Sequence, residues 1–239
     1  MSKFIHFDTI DSTSSYLKEN YSNHDNFTFV SANIQTNGRG RNGRNWINGK
    51  DDLLFSILLK DNKVIQKYNL LSIISSYVII EALNEYAVYN AKYKWPNDIY
   101  VNDKKICGIL LEGISTSNSI NALVIGVGLN VNSNRFENDL TDKATSIFME
   151  TNKPINVEEL KTYIYDKFLL ILENIDDYID DIFRKIRTID YLKDKDVYVL
   201  YNNEKVMVKV IDLNVDGSLR VILDNNQIDI YSGEVTFSI

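Results

Sequence analysis

Three arginines, Arg39, Arg41 and Arg44, alternate with three glycines, Gly38, Gly40 and Gly43, in the stretch NGRGRNGRNW, which ends at Trp46. Glycine lets backbone N–H groups come close to an oxyanion, and guanidinium groups add planar, permanently charged donors. An indole beside them offers a flat face to a base. The combination reads as an anion clamp for a nucleotide; standing alone, a mobile loop with solvated charges reads equally well. Residues 38–43 also match G-x-G-x-x-G, with Asp61 at about the distance the dinucleotide fingerprint expects. That reading fails on context. The fingerprint needs a helix to open at its last glycine, whereas here Asn48-Gly49 reads as a turn and DLLFSILL as a strand.

A second chemistry-bearing stretch is KWPNDIYVNDKK, with Lys94, Asp98, Lys104 and Lys105 around a hairpin. Asp98 after Asn97 is the kind of aspartate that usually hydrogen-bonds its own turn. Lys104 reads as a solvated hairpin charge. Lys105 opens the apolar run ICGILL, so it is placed to reach along one face into a pocket. The third stretch is GVGLN, Gly126 to Asn130. Glycines inside a strand mark close approach of a ligand or of another backbone, and Asn130 would read a polar edge. Other chemistries drop out. His6 and His24 are far apart and the lone Cys107 sits in an apolar run, so neither a metal cluster of usual spacing nor a Cys–His nucleophile is expected. There is no G-x-S-x-G elbow and no Walker motif.

The elements that must position these residues follow from periodicity. KFIHF reads as a first strand, and Asp11, Ser12 and Thr13 as caps of a short helix. FTFVSAN and DLLFSILLK read as strands, and residues 69–89 as a helix with Leu70, Ile73, Ile74, Tyr77, Ile80 and Leu83 on its apolar positions. KYKWPNDIYVNDKKICGILLEGI reads as strand, hairpin and strand with the turn at NDK, and ALVIGVGLNVN as a buried strand. Residues 156–189 carry helical spacing long enough for two helices with a break. From about Asp190 five short β runs follow in under fifty residues, the pattern of a small antiparallel barrel. The expected division is residues 1–189 and residues 190–239.

The chain has 239 residues, a net charge of −7 and 44% hydrophobic composition. It is long enough for one large domain with an appendage. The acidic balance argues against broad nucleic-acid binding, which needs a basic face, without excluding a local anion site. One cysteine permits no internal disulfide, which suits a reducing compartment. No signal-peptide pattern and no membrane-spanning apolar run is present, so a cytoplasmic protein is expected.

Taken together, DSTSSYL, QTNGRGRNGRNW, KWPNDIYVNDKKICGILLEG, IGVGLNVN and the terminal SGEVTF resemble biotin protein ligases, in that family's order over most of residues 8–132. The resemblance implies an α+β fold: a mixed β-sheet flanked by helices, like a class II synthetase, with a small C-terminal β-barrel of the Src-homology type. It implies an enzyme that joins biotin to ATP, releasing pyrophosphate, and passes the biotinyl group from biotinyl-5′-AMP to a lysine of a biotin carboxyl carrier protein, part of a biotin-dependent carboxylase or decarboxylase. ATP and biotin are then substrates and Mg²⁺ the metal.

Position by position, Ser12, Thr13, Ser14 and Gln35 would face the biotin ureido ring, with Gly108 and Gly126 leaving room. Gly38, Arg39, Gly40 and Arg41 would close on the biotin carboxylate and the α-phosphate, which Lys105 would bridge as the foremost catalytic group. Trp46 would stack on adenine, Asn130 would bond its edge, and Arg44 and Lys94 would hold phosphate. Asp98 would position Mg²⁺ or the incoming lysine. The resemblance further implies the form without an N-terminal DNA-binding domain, no DNA and no membrane partner, and a monomer or weak homodimer. Two departures stand out. The glycine usual before Ile-Asp is replaced in KVIDLNVDGSL, and the place four after Glu234, often arginine in the family, is Ser238, which leaves a nucleotide contact from the barrel open. A lipoate or octanoate ligase of the same superfamily and a non-catalytic RNA binder are the alternatives. The first would carry SGGG and a following histidine, which are absent.

Overall fold

The computed structural model describes residues 4–47, 49, 51–116, 119–136, 138–201 and 204–237. Asn48 of the expected turn and Ser238 lie outside them. The chain opens with β1 (Phe4–Ile10), α1 (Thr13–Asn20), β2 (Phe29–Gln35) and, after the arginine loop, β3 (Leu53–Leu59). A one-turn α2 (Asn62–Ile65) leads into the long α3 (Tyr68–Glu85), followed by β4 (Lys92–Lys94), β5 (Asp98–Val101), β6 (Lys104–Thr116) and β7 (Ser119–Leu129). The seven strands form one sheet in the order β1-β2-β3-β7-β6-β5-β4. Only β1 and β2 pair in parallel, bridged by α1; the remaining pairs are antiparallel, so the sheet is mixed.

Local chemistry sets the key boundaries. Ser12 caps α1, its side chain accepting from the Ser15 N–H, and so supplies one acceptor for the helix's unpaired donors. Asn102 and Asp103 both take positive φ, 49° and 63°, which is the backbone a two-residue hairpin demands and which Asn and Asp tolerate. The Trp95–Pro96 bond is cis.

The sheet has two faces. One is covered by α3, whose buried positions run nearly all the way round because α5 (Val157–Glu173) and α6 (Ile175–Thr188) pack on its far side. This is the main core, with Phe55, Ile57, Ile109, Ile125 and Val127 pointing into it. The other face carries only α1 over Val30, Leu58, Ala122 and Val124, and past the end of that short helix the sheet is left open. The expected break in the second helical stretch falls at Asn174, and α4 (Ile147–Thr151) closes the turn after β7. Strands β8 (Asp196–Tyr201), β9 (Glu204–Leu213), β10 (Leu219–Leu223), β11 (Asn226–Ile230) and β12 (Val235–Thr236) form a second, antiparallel sheet in the order β11-β10-β9-β8-β12. Its apolar face joins the main core, and the Trp95 indole N–H donates to the Gly217 carbonyl at 3.0 Å.

Candidate active site

Beyond α1 the open face of β6 and β7 lacks side chains where it matters. Gly108 pairs with Gly128, and Gly126 with Leu110. A Cβ on Gly126 would lie 2.5 Å from Ser14 Oγ, and one on Gly128 would lie 2.3 Å from the Trp46 ring. Over this bare backbone lies a cavity of about 670 Å³, within the usual range for small-ligand sites. Every site residue expected from the sequence lines it except Gly38. Gly38 instead closes the base of the arginine loop, its carbonyl accepting the Trp46 N–H at 2.9 Å.

At one end is a buried polar knot. Thr13 donates to Gln35 Oε1 from its backbone N–H at 2.8 Å and its hydroxyl at 3.1 Å. The hydroxyls of Thr13 and Ser14 also meet Ser56 Oγ, at 2.8 and 2.9 Å. With Oε1 committed, the Gln35 amide nitrogen is the group left to donate to a ligand. Ser56 was not expected. It is the one polar residue in the apolar run LLFSILL, and its partners are more than forty positions away in sequence, so nothing local marks it.

The middle is cationic. Arg39, Arg41, Arg44, Lys94, Lys105 and Lys143 line the cavity against only two carboxylates, Asp98 and Glu234, in a chain whose net charge is −7. Lys105 Nζ is 2.7 Å from Asp98 Oδ1 and 5.3 Å from the centre of the Trp46 ring. Lys94 lies over the rings of Tyr100 and Phe237 and donates to the Tyr100 hydroxyl at 3.1 Å. Burial holds its pKa below the usual lysine value, with Asp98 pulling the other way. The same burial raises the Tyr100 phenol.

The arginine loop is a small hairpin across this region, with Asn42 and Gly43 at positive φ and Gly40 N–H bonded to the Arg44 carbonyl at 2.7 Å. A 3₁₀ turn at Arg41–Gly43 followed by strand geometry excludes the helix that a dinucleotide fingerprint requires. Each arginine reaches a different support. Arg39 lies 3.4 Å from Glu112, which also holds Lys18 at 2.8 Å. Arg41 donates to Asn97 Oδ1 at 3.0 Å and to the Gly233 carbonyl at 2.9 Å, and Arg44 pairs with Glu234.

The far end is an aromatic slot. The Trp46 ring lies against Gly128 and Gly108, which pair across β7 and β6. At Gly108, expected to leave room for the ureido ring, an added Cβ would lie 2.8 Å from Trp46 Cζ3, and Gly128, not chosen from the sequence, meets the same ring. Asn130 is 3% exposed and spends its amide on the Thr145 carbonyl at 2.9 Å. Its Oδ1 and the Trp46 Nε1 are buried without a partner. A buried orphan acceptor costs on the order of 1–3 kcal/mol, so an acceptor and a donor wait in this slot for a ligand with complementary edges. Phe136 and Leu140, also missed, add apolar lining to the cavity.

Among the described residues no group of three or more His, Cys, Asp or Glu could hold a metal ion. Asp98, a single carboxylate already beside a lysine, fits a cation that arrives on phosphate oxygens better than a resident ion.

Comparison with known proteins gives a consistent result. Residues 6–130 match the model of the Biotin/lipoate A/B protein ligase family. The chain is 34% identical over 132 residues to the bifunctional ligase/repressor BirA of Bacillus subtilis, covering 54% of this chain and 41% of that protein. It is 30% identical over 105 residues to the biotin–[acetyl-CoA-carboxylase] ligase of Paracoccus denitrificans, covering 43% and 44%. It thus spans less than half the length of these two curated relatives. Among solved structures, the biotin protein ligase of Aquifex aeolicus in complex with biotin and ATP superposes with a TM-score of 0.86 at 28% identity over 99% of this chain and 98% of that one.

Proposed function

Because the chain belongs to the Biotin/lipoate A/B protein ligase family, we propose that it is an ATP-dependent biotin protein ligase, acting in the cytoplasm on a biotin carboxyl carrier protein domain. The observation that carries this reading is one cavity in which a buried Ser-Thr-Gln knot, six cations and a glycine-backed tryptophan follow one another. A bicyclic ureido ring suits the knot, because Gln35 and the hydroxyls of Thr13, Ser14 and Ser56 supply donors and acceptors where a dithiolane or alkyl tail offers none. That disfavours lipoate and octanoate.

The first step joins two anions. A carboxylate oxygen of biotin attacks the α-phosphorus of ATP, the bond to the bridging oxygen breaks, and pyrophosphate leaves with the electron pair. Lys105, with Arg39 and Arg41, would offset the repulsion and hold the charge that grows on the phosphate oxygens. Mg²⁺ carried on the phosphates would neutralise the leaving group. Trp46 would stack on adenine, while the free Asn130 Oδ1 accepts from its amino group, which satisfies the orphan acceptor. In the second step a neutral carrier lysine attacks the acyl carbonyl and AMP departs. Asp98, 2.7 Å from the Lys105 ammonium, would receive the proton that the attacking amine gives up. The loop, pinned at three points, would keep water off the mixed anhydride.

The test is biotin-dependent exchange of labelled pyrophosphate into ATP, followed by transfer of biotin to an added carrier domain. Exchange with biotin and none with lipoate supports the reading; exchange driven by lipoate or octanoate overturns it. A preference for RNA over both ligands, lost with salt, would favour a binding protein instead.

A further inference from the structure

Asp52, immediately before β3, is a fully buried carboxylate outside the cavity lining. Its Oδ1 accepts the Val131 N–H at 2.8 Å; its Oδ2 accepts the Ser133 hydroxyl at 2.8 Å and the Gly49 N–H at 2.9 Å. These donors come from two separate segments. Gly49 is three residues past Trp46, and Val131 directly follows Asn130. Gly49 is also in close contact: a Cβ there would lie 2.4 Å from Ser133 Oγ and 3.0 Å from Asp52 Oδ2. The hydrogen bonds of the Thr13, Ser14, Gln35 and Ser56 knot run among its own members.

We infer that Asp52 is a positioning residue that ties the tryptophan wall of the cavity to the asparagine wall and so sets the width of the nucleotide slot. The inference rests on the reading of that slot as the adenine site. Only a carboxylate can serve both backbone N–H groups. In Asp52→Asn the amide presents one acceptor, so whichever way it turns, either the buried Val131 N–H or the part-buried Gly49 N–H loses its partner. Relaxation then parts the walls, because the backbone on either side is the only freedom left. A group that merely held the fold together would weaken every ligand alike; a tie confined to one end weakens one.

The experiment compares wild type, Asp52→Asn and Gly49→Ala by calorimetry with a non-hydrolysable ATP analogue and with biotin, and by initial rates of adenylate formation. Gly49→Ala keeps the carboxylate but wedges the tie open, and it scores the proposal should Asp52→Asn fail to fold. A lost buried hydrogen bond corresponds to about a ten- to hundredfold change in an equilibrium constant. The expected result is that loss in nucleotide affinity and a matching rise in KM for ATP, with biotin affinity and kcat at saturating ATP unchanged. Equal losses for both ligands, or no loss of nucleotide affinity, would overturn it. A wild type that binds nucleotide but forms no adenylate would defeat the proposed reaction, while the ratio of binding losses would still decide the role of Asp52.

Discussion

Placing a methyl group at Gly128 tests whether Trp46 makes the nucleotide slot. In Gly128→Ala the new Cβ would sit 2.3 Å from Trp46 Cε2, 2.6 Å from Nε1 and 2.8 Å from Cδ2. Carbon contacts settle near about 3.5–4.0 Å, so the indole must withdraw by roughly an ångström or more. The strand cannot yield instead, because at Gly128 β7 is paired with Leu54 of β3 on one side and Gly108 of β6 on the other. Stacking of a base on an aromatic ring is worth about 1–3 kcal/mol, so a displaced ring should weaken nucleotide binding by about ten- to hundredfold. Biotin affinity should hold, since the knot around Ser14 and Ser56 lies against Gly126, not Gly128. Calorimetry on Gly128→Ala, Trp46→Ala and the double variant gives the decisive pattern. The three atoms nearest the methyl all belong to the indole, so once it is gone the double variant should be no weaker than Trp46→Ala alone. Additive losses, or a loss of biotin affinity with nucleotide binding intact, would refute the placement of Trp46.

Other expectations follow from the same geometry. Lys105→Ala should keep biotin binding and lose adenylate formation by about 10²–10³-fold, the cost typical of removing one group that stabilises developing charge; near-normal single-turnover adenylation would remove Lys105 from catalysis. Arg41→Gly cuts the bonds to Asn97 and to the Gly233 carbonyl, so the loop should exchange its amide hydrogens faster and release biotinyl-adenylate early. Biotin labelling of an unrelated protein should then rise above wild type. Asp190 gives a pH expectation. Burial pushes its carboxyl up from 3.8 to about 6, against the Leu192 N–H, which lowers it. Between those values the folded chain holds a proton that the unfolded chain releases, so stability falls as pH rises through the window and stays lower above it. Asp190→Asn keeps an acceptor for Leu192 and should raise stability at pH 7.5 by about 2–3 kcal/mol, read as a higher Tm there and a flatter profile from pH 4 to 6. A lower Tm at pH 7.5 would contradict the assignment.

Much of this was legible in the chain because local chemistry wrote it. The glycine-arginine loop, the Asn102-Asp103 turn, the break at Asn174 and the five short C-terminal strands all follow from residue types within a few positions of each other. Lys105 could be picked out because it opens an apolar run, Trp46 because an indole stands beside arginines, and Asn130 because it ends a strand carrying two glycines, whereas Asp98 reads locally as a turn residue. What stayed hidden is what folding brings together. The parallel pairing of β1 with β2, the Ser56 bridge between Thr13 and Ser14, and the Asp52 tie join positions that carry no mutual signal in one sequence. That Gly108 and Gly128 both back the Trp46 ring depends on how the loop lays that ring over the sheet, which no spacing rule predicts. Nor does any local pattern show what holds the arginines: Arg39 is held by Glu112, Arg44 by Glu234, and Arg41 by Asn97 and Gly233, partners 56 to 192 residues away for Arg41.

The most direct test of the central claim is mass spectrometry of the products formed when the purified protein meets ATP, Mg²⁺ and an equimolar mixture of biotin, lipoate and octanoate. The account predicts biotinyl-5′-AMP and pyrophosphate in equal amounts, with neither of the other adenylates above background. Lipoyl-AMP or octanoyl-AMP as the main product, or no adenylate from a protein that binds both biotin and ATP, would contradict it.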